Sequence, residues 1–278
     1  MTASFARLRT SHTMQAISTA VFVVALNALI YIPPVYRRVG ADTVLWINNL
    51  TSIGAAFLSV WLAARLWLAA RRGESLRKMW GSLLVGLILW AIAELIWDSY
   101  QLILNVKLPS TSVADVAWIA GYIALIVGLS LRIYTFRMRP TKAWQYAVLA
   151  ISAVLASLAV IYVIVPILSA PESGVPYDKF TGLFYAVGDV ILAFLALFIV
   201  LVLKGGLLSR PWTAIALACF GIGVSDLLYA FASAHGIYQV DPSAGLNWVS
   251  YVIDTSYTFA YVLMALGLYL QARLLDAI

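Results

Sequence analysis

Asp115, Trp118 and Tyr122 stand at i, i+3 and i+7, and Asp254, Tyr257 and Tyr261 repeat those intervals far along the chain. On a helix this spacing gathers one carboxyl and two aromatic rings onto a single face. Three further groups have the same character: Trp90, Glu94, Trp97 and Asp98; Tyr185 and Asp189; Asp226 and Tyr229. Acids so placed bind a cation or a small ligand, or titrate, and the rings line the space around them. Glu94 and Asp98 are one helical turn apart, and the repulsion between them favours an ion or a proton at that point. The same residues also admit a purely structural reading. Ser112 and Asp115 have the order of a helix-start pair, and deeper acids, protonated, can bond a tyrosine or a backbone carbonyl and glue helices together.

Other chemistry is poorly supplied. The one cysteine, Cys219, lies in an apolar run, and the two histidines, His12 and His235, are far apart. Zinc-ligand spacing, GxGxxG and phosphate-loop motifs are missing, so the expectation is a protein that is not an enzyme. A metal and a cofactor both remain unassigned. Retinal needs a lysine within a helix, but Lys78, Lys107, Lys142, Lys179 and Lys204 fall in loops or at helix ends. Bis-histidine haem fails because the two histidines are expected on opposite sides of the membrane.

The elements that must position these acids are membrane helices. Of the 278 residues 63% are hydrophobic and 11% charged, a balance that a water-soluble domain could not cover. Runs of about 20 apolar residues, the length that crosses the hydrocarbon, are expected at 15–33, 45–69, 79–104, 113–135, 144–168, 180–203, 212–234 and 246–271. The fold class is therefore an all-α integral membrane protein of eight transmembrane helices, placed in the cell's inner or plasma membrane as a multi-pass chain. The early Arg7, Arg9 and apolar pattern resembles a signal peptide, but the run is long and ends at Ile32-Pro33-Pro34, so it is read as a retained first helix.

The net charge of +6 does not indicate nucleic acid, because it sorts by loop. With the N-terminus inside, Arg7, Arg9, Arg65, Arg71, Arg72, Arg77, Lys78, Arg132, Arg137, Arg139, Lys142, Lys204, Arg210 and Arg273 are cytoplasmic. Arg37, Arg38, Lys107 and Lys179 are outside, and this asymmetry predicts cytoplasmic termini. Arg65 lies near enough to the inner face to snorkel. The acids sort the other way. Asp42, Glu94, Asp98, Asp115, Glu172, Asp178, Asp189, Asp226, Asp241 and Asp254 fall in outer loops or outer helix halves, leaving Glu74 and Asp276 inside. At about 1.5 Å per residue, Asp189 and Asp254 lie roughly 12 to 14 Å below the outer helix ends. A charged Asp facing lipid there costs roughly 3 kcal/mol, so these side chains must face protein or water.

The chain also repeats itself. A shift of 139 residues, half the length, puts Asp115 on Asp254, Trp118 on Tyr257, Tyr122 on Tyr261, and Gly128-Leu129-Ser130-Leu131 on Gly267-Leu268-Tyr269-Leu270. Trp46 falls on Tyr185, and Glu94 reaches Asp226 once a longer connection is allowed before the eighth helix. This predicts two four-helix repeats, 1–139 and 140–278, within one compact membrane domain; chance similarity among apolar helices is the alternative. Four helices return the chain to its starting side, so the repeats are parallel, related by an axis along the membrane normal.

The phrases WAIAELIWDSYQLIL and PSTSVADVAWIAGYIALIVGL, then LFYAVGDVILAFLALFIVL, GVSDLLYAF and YVIDTSYTFAYVLMALGLYL, resemble a known class of membrane segment. It is the multi-pass sensor region ahead of PAS, histidine kinase or diguanylate cyclase modules in bacterial and archaeal signalling proteins. The resemblance runs from about Trp80 to the C-terminus, with the earlier part following only in hydropathy. It implies a sensory input in the membrane. The chain reaches Ile278 without an output domain, so the expectation is either a free-standing module or a piece of a longer sensor, with LYLQARLLDAI able to run on as a cytoplasmic helix.

Two functions are therefore expected. The first is a sensory or small-ligand or cation-binding module with an outward-facing pocket, in which Glu94, Asp98, Asp115, Asp189, Asp226 and Asp254 bind or titrate. Trp90, Trp97, Trp118, Tyr122, Tyr185, Tyr229, Tyr257 and Tyr261 line it. Its partners are the lipid bilayer and a cytoplasmic signalling protein or a missing C-terminal output domain. The alternative is a proton-coupled small-solute transporter, although breaks near the midplane are few: Pro166, Gly188 and Gly221-Ile222-Gly223. An enzyme of lipid or prenyl substrates ranks lowest, because the cytoplasmic side is almost without acids.

Overall fold

The computed structural model describes residues 2–71, 74–104, 112–136, 141–169, 176–203, 207–238 and 246–278, with backbone alone at 2–11, 136, 176–178 and 202. Arg72, Lys107, Arg137, Arg139, Glu172, Lys204 and Asp241, all part of the charge pattern, lie outside the described residues.

Unbroken apolar sequence yields helix throughout, and the described residues contain no strand. The elements are α1 (Thr2–Leu29), α2 (Pro33–Val39), α3 (Ala41–Ala69), α4 (Ser75–Asp98), α5 (Val113–Phe136), α6 (Lys142–Ala159), α7 (Val165–Ser169), α8 (Pro176–Val202), α9 (Ser209–Ala234) and α10 (Trp248–Leu274). A π-helical turn, Ser99–Ile103, extends α4, and another, Val160–Ile164, joins α6 to α7. Among the described residues eight helices are long and apolar enough to cross a membrane: His12–Leu29, Ala41–Ala69, Ser75–Ile103, Val113–Thr135, Lys142–Ser169, Lys179–Leu201, Ser209–Ala234 and Trp248–Leu274. They match the expected spans within a few residues. Proline opens the short α2, where its missing N–H costs nothing, and Gly40 with φ of 88° turns the chain into α3.

Six helices close a ring in the order α3, α4, α5, α8, α9, α10 and back to α3. The helix α1 lies outside against α10, and α6 lies outside against α8. Close approach within the ring rests on glycine. A Cβ on Gly121 of α5 would sit 2.3 Å from Cδ1 of Trp90 on α4, and one on Gly267 of α10 would sit 2.9 Å from the Pro211 carbonyl of α9. Small residues at such contacts let helix backbones meet where apolar burial gives no drive between membrane helices.

The two ends of the ring differ in chemistry. One end is basic and aromatic: Trp80 of α4 meets Trp212 of α9 with centroids 5.4 Å apart, and the Arg132 guanidinium of α5 lies 4.0 Å over the Trp212 ring. Arg77 covers Trp67 at 4.5 Å, and Arg65 Nε donates to the Ala277 carbonyl at 3.0 Å. The basic side chain of Arg65 thus finds a protein acceptor at this end. The helix α10 does not run on through the closing residues. It stops at Leu274, where Asp276 takes φ of 51° and the Ala277 N–H returns to the Ala272 carbonyl at 2.9 Å, a left-handed cap that satisfies a last-turn carbonyl. The acids sit at the other end.

Candidate functional site

The acidic half begins where α4 ends and α5 starts. There Ser112 Oγ accepts from Ala114 N–H at 3.1 Å, and Asp115 Oδ2 accepts from Ser112 N–H at 2.8 Å. This is a reciprocal helix cap, so Ser112 and Asp115 do serve the start of α5. The other oxygen of Asp115 accepts from the Tyr185 hydroxyl of α8 at 2.7 Å. One residue therefore caps its own helix and ties it to another.

Deeper in, hydroxyls and carboxyls meet across the ring. Tyr122 of α5 donates toward Asp189 of α8 and Asp226 of α9, and Tyr257 of α10 donates to the second oxygen of Asp226. Tyr261 of α10 donates to Glu94 of α4 at 2.7 Å. A phenol has one hydrogen, so Tyr122 between two carboxyls is satisfied when a carboxylic proton supplies the second bond. Asp189 is 1% exposed and Tyr122 is 1% exposed, whereas Glu94, Asp226 and Asp254 are half-buried. Gly188 and Gly223 make this contact possible. A Cβ at the first would lie 3.1 Å from the Tyr122 ring, and one at the second 3.1 Å from the Asp189 carbonyl.

The aromatic residues form a continuous lining. Trp90 packs edge-on against Tyr122 at 5.1 Å and donates to the Trp118 carbonyl at 3.3 Å. Trp97 meets Trp118 at 6.0 Å and Tyr229 at 6.3 Å, while Tyr185 lies 5.9 Å from Tyr122. Asp254 receives the Tyr238 hydroxyl at 2.8 Å, and Tyr238 stands edge-on to Tyr229 at 4.9 Å. Burial, with the Asp254 carboxyl beside it, pushes the Tyr238 phenol well above its ordinary value. It stays a donor at neutral pH.

All fourteen predicted site residues thus lie in one half of the bundle, but the pairing differs from the same-face pattern. Among the described residues no acid is bonded by the tyrosine of its own helix face; the phenols of Tyr122, Tyr185, Tyr257 and Tyr261 reach across to other helices. A side chain this long projects away from its own axis and finds its acceptor on the facing helix. Asp98 is buried at the end of α4. None of the six acids has a lysine or arginine partner among the described residues. No group of three His, Cys, Asp or Glu able to hold a metal ion forms among the described residues.

Several participants were absent from the sequence reading. Thr258 of α10 donates to Asn48 of α3 at 2.8 Å and meets Ser52 at 2.8 Å, Asn49 donates to Gln101 at 2.9 Å, and Ser225 meets Ser256 at 2.6 Å. Asn48 and Ser52, one turn apart in an apolar helix, carried a signal comparable to that of the acids. Tyr238 follows α9 in a non-helical segment, where helical spacing says nothing. No family model, curated protein or solved structure matches this chain.

Proposed function

We propose that the chain is a membrane-embedded sensory module that binds a small ligand or cation, or takes up protons, among the acids of one half, and passes the event on through helix packing. The carrying observation is the crossed pair of bonds, Tyr122 of α5 to Asp226 of α9 and Tyr261 of α10 to Glu94 of α4, with no lysine or arginine paired to these carboxyls among the described residues. Each bond spans the ring, and each depends on the charge and occupancy of an acid. A ligand or proton arriving there alters the tie between helices directly.

The repeat gives this reading its mechanics. Taking 1–139 and 140–278 as related units, Tyr122 corresponds to Tyr261 and Glu94 to Asp226, so the crossed bonds exchange under a twofold axis along the bundle. Trp80 and Trp212 are separated by the same interval as Glu94 and Asp226, and they touch each other at 5.4 Å, where such an axis would pass. Gly128 against Leu83 and Gly267 against Ile215 are a matching pair of close contacts. The correspondence fails at Trp46, which is exposed whereas Tyr185 bonds Asp115. The pivot lies at the basic end and the ligand-sensitive ties at the acidic end, so the four-helix units rock about the tryptophan pair. The positive-inside asymmetry puts the basic end in the cytoplasm and the site facing outward. There a cytoplasmic signalling protein, or an output domain joined to a longer form of this chain, reads the movement. This reading is consistent with the resemblance to sensor regions of signalling proteins, and with the cell's inner or plasma membrane as the location.

A proton-coupled transporter would use the same acids. The π-helical turn at Ser99–Ile103, next to Asp98, is the one observation favouring it, since such turns loosen a helix. The test is thermal stability of the purified protein across pH and a panel of cations and small molecules, with Asp189→Asn and Asp254→Asn in parallel. A ligand that raises the melting temperature of the wild type and not of the variants supports the binding reading. Uniform behaviour of all three proteins under every condition would sink it, and accumulation of labelled solute in vesicles would replace sensing by transport.

A further inference from the structure

The basic end of the ring gathers polar groups that the fold buries and leaves unmatched. Between α4 and α5 a Cβ at Gly128 would meet Leu83, and between α9 and α10 a Cβ at Gly267 would meet Ile215. Four residues after each glycine stands a buried polar side chain, Arg132 or Gln271, and three residues before its partner stands a buried tryptophan, Trp80 or Trp212. The two helix pairs thus carry the same arrangement to the same end, and they join where Trp80 meets Trp212 at 5.4 Å. Arg132 reaches across this joint, with its guanidinium 4.0 Å over the Trp212 ring. Gln271 holds the equivalent place on α10. Trp80 is 1% exposed, Trp212 0% and Gln271 2%, yet among the described residues Nε1 of both tryptophans and Oε1 of Gln271 have no hydrogen-bond partner. A buried indole N–H ordinarily finds an acceptor, as that of Trp90 does in the Trp118 carbonyl.

The chemistry of these groups limits what would match them. Indole and guanidinium are donors with no acceptor, and the guanidinium is positive, so the two tryptophans and Arg132 together call for an anion with several acceptor atoms. Gln271 adds a requirement in the other sense, since its Oε1 takes a hydrogen. A halide or nitrate meets the first requirement alone. An oxyanion that keeps one hydroxyl meets both. A flat oxyanion suits Arg132, because a guanidinium stacked on a ring presents its N–H edge in the plane in which a planar partner receives two parallel bonds. We infer that the Trp80–Trp212 joint binds a small planar oxyanion carrying one O–H, of the hydrogencarbonate class. Arg132 supplies the opposite charge, the two indoles donate, and Gln271 accepts from the hydroxyl. This goes beyond the reading of the acidic half and does not depend on it.

Hydrogencarbonate is the probe, titrated into the full chain in detergent at mildly alkaline pH, with gluconate holding the ionic strength constant, and read by melting temperature and tryptophan fluorescence. Nitrate, which has the same flat shape without the hydroxyl, and chloride serve as comparisons. Hydrogencarbonate should raise the melting temperature saturably, and nitrate and chloride should bind more weakly by about tenfold. Trp80→Phe and Trp212→Phe keep a ring at the joint and remove one N–H each, and each should weaken hydrogencarbonate by about tenfold. Arg132→Gln should abolish the saturable rise. Gln271→Met keeps the length of the side chain and removes the acceptor, so it should bring hydrogencarbonate down to the level of nitrate. If these variants fail to fold, the ranking of the three anions on the wild type still decides. Nitrate or chloride equal to hydrogencarbonate there would overturn the assignment, as would undiminished affinity in both tryptophan variants or a rise that never saturates. Silence toward every anion would overturn it as well, and would leave the reading of the acidic half standing.

Discussion

Replacing Tyr122 by Phe removes one oxygen and leaves the packing in place. The ring keeps its contacts with Trp90 at 5.1 Å, Phe184 at 6.3 Å and Tyr185 at 5.9 Å. What is lost is the hydroxyl between Asp189 and Asp226, which are then left facing each other without the donor. A hydrogen bond to a charged group is worth about 1.5–3 kcal/mol, and a buried acceptor stripped of its donor adds to that loss. Among the described residues Asp189 has no other hydroxyl partner, whereas Asp226 retains Tyr257, so the expected loss is about 3 kcal/mol. At about 2 °C or more per kcal/mol for a chain of this size, the melting temperature should fall by roughly 6 °C or more. Tyr261→Phe removes a single bond, to Glu94, and should cost about half as much. The sharper comparison is Tyr122→Phe with Asp226→Asn, since an amide carries the N–H that a carboxylate lacks and can donate to Asp189. The double variant should recover part of the loss. Equilibrium unfolding in mixed detergent, or a melting curve by tryptophan fluorescence, reads all four proteins. If Tyr122→Phe melts with the wild type, the crossed bonds do not hold these helices together, and the proposed coupling between site and packing fails with them.

Gly121→Ala puts a methyl 2.3 Å from Cδ1 of Trp90, a buried ring with nowhere to retreat, and should cost about 1–3 kcal/mol of stability. Gly54, which has open space around it, should accept alanine at no loss. For Asp115 and Tyr185 a double-mutant cycle with Asn and Phe should show coupling of about 1 kcal/mol, while Ser112→Ala, which touches the cap alone, should cost about 1 kcal/mol with no coupling to Tyr185. Stability should fall on the alkaline side. Burial, then the Asp254 carboxyl, raises the phenols of Tyr31 and Tyr238 above their ordinary value. Below about pH 10 both states are protonated, and above it the unfolded chain alone ionises. Each phenol should then contribute a decline of about 1.4 kcal/mol per pH unit. Tyr238→Phe should flatten that slope in a pH series of melting curves.

The helices were legible because membrane spans are written in composition: the runs from Ala41–Ala69 to Trp248–Leu274 need no tertiary partner to be recognised. Which helix faces which was not, since apolar faces look alike from within the sequence. Asp189 and Tyr185 share a face of α8, but Tyr185 bonds Asp115 of α5, and Asp189 receives Tyr122 of the same helix. The intervals grouped acids and rings by helix face, whereas the bonds run between helices, because helical spacing records direction around one axis and not the distance to the next. Tyr238 was invisible for a different reason, lying beyond the helix whose period would have flagged it. The π-helical turns at Ser99–Ile103 and Val160–Ile164 had no marker either, since one extra residue in a turn does not interrupt an apolar run. Asn48, Ser52 and Thr258 were readable as polar residues in apolar helices, and attention to acids alone passed over them.

The central claim is that events at the acidic half move helices at the basic end. With the buried Cys219 replaced by Ser, spin labels at Lys78→Cys and Arg210→Cys report the separation of the α4 and α9 starts, both exposed positions beside the Trp80–Trp212 contact. Electron–electron distance measurement should give one distribution at neutral pH and a displaced one on acidification, with no displacement in Asp226→Asn. An identical distribution at every pH, in a protein whose melting temperature responds to acidification, would contradict the account and make the acidic half a site without a mechanical output.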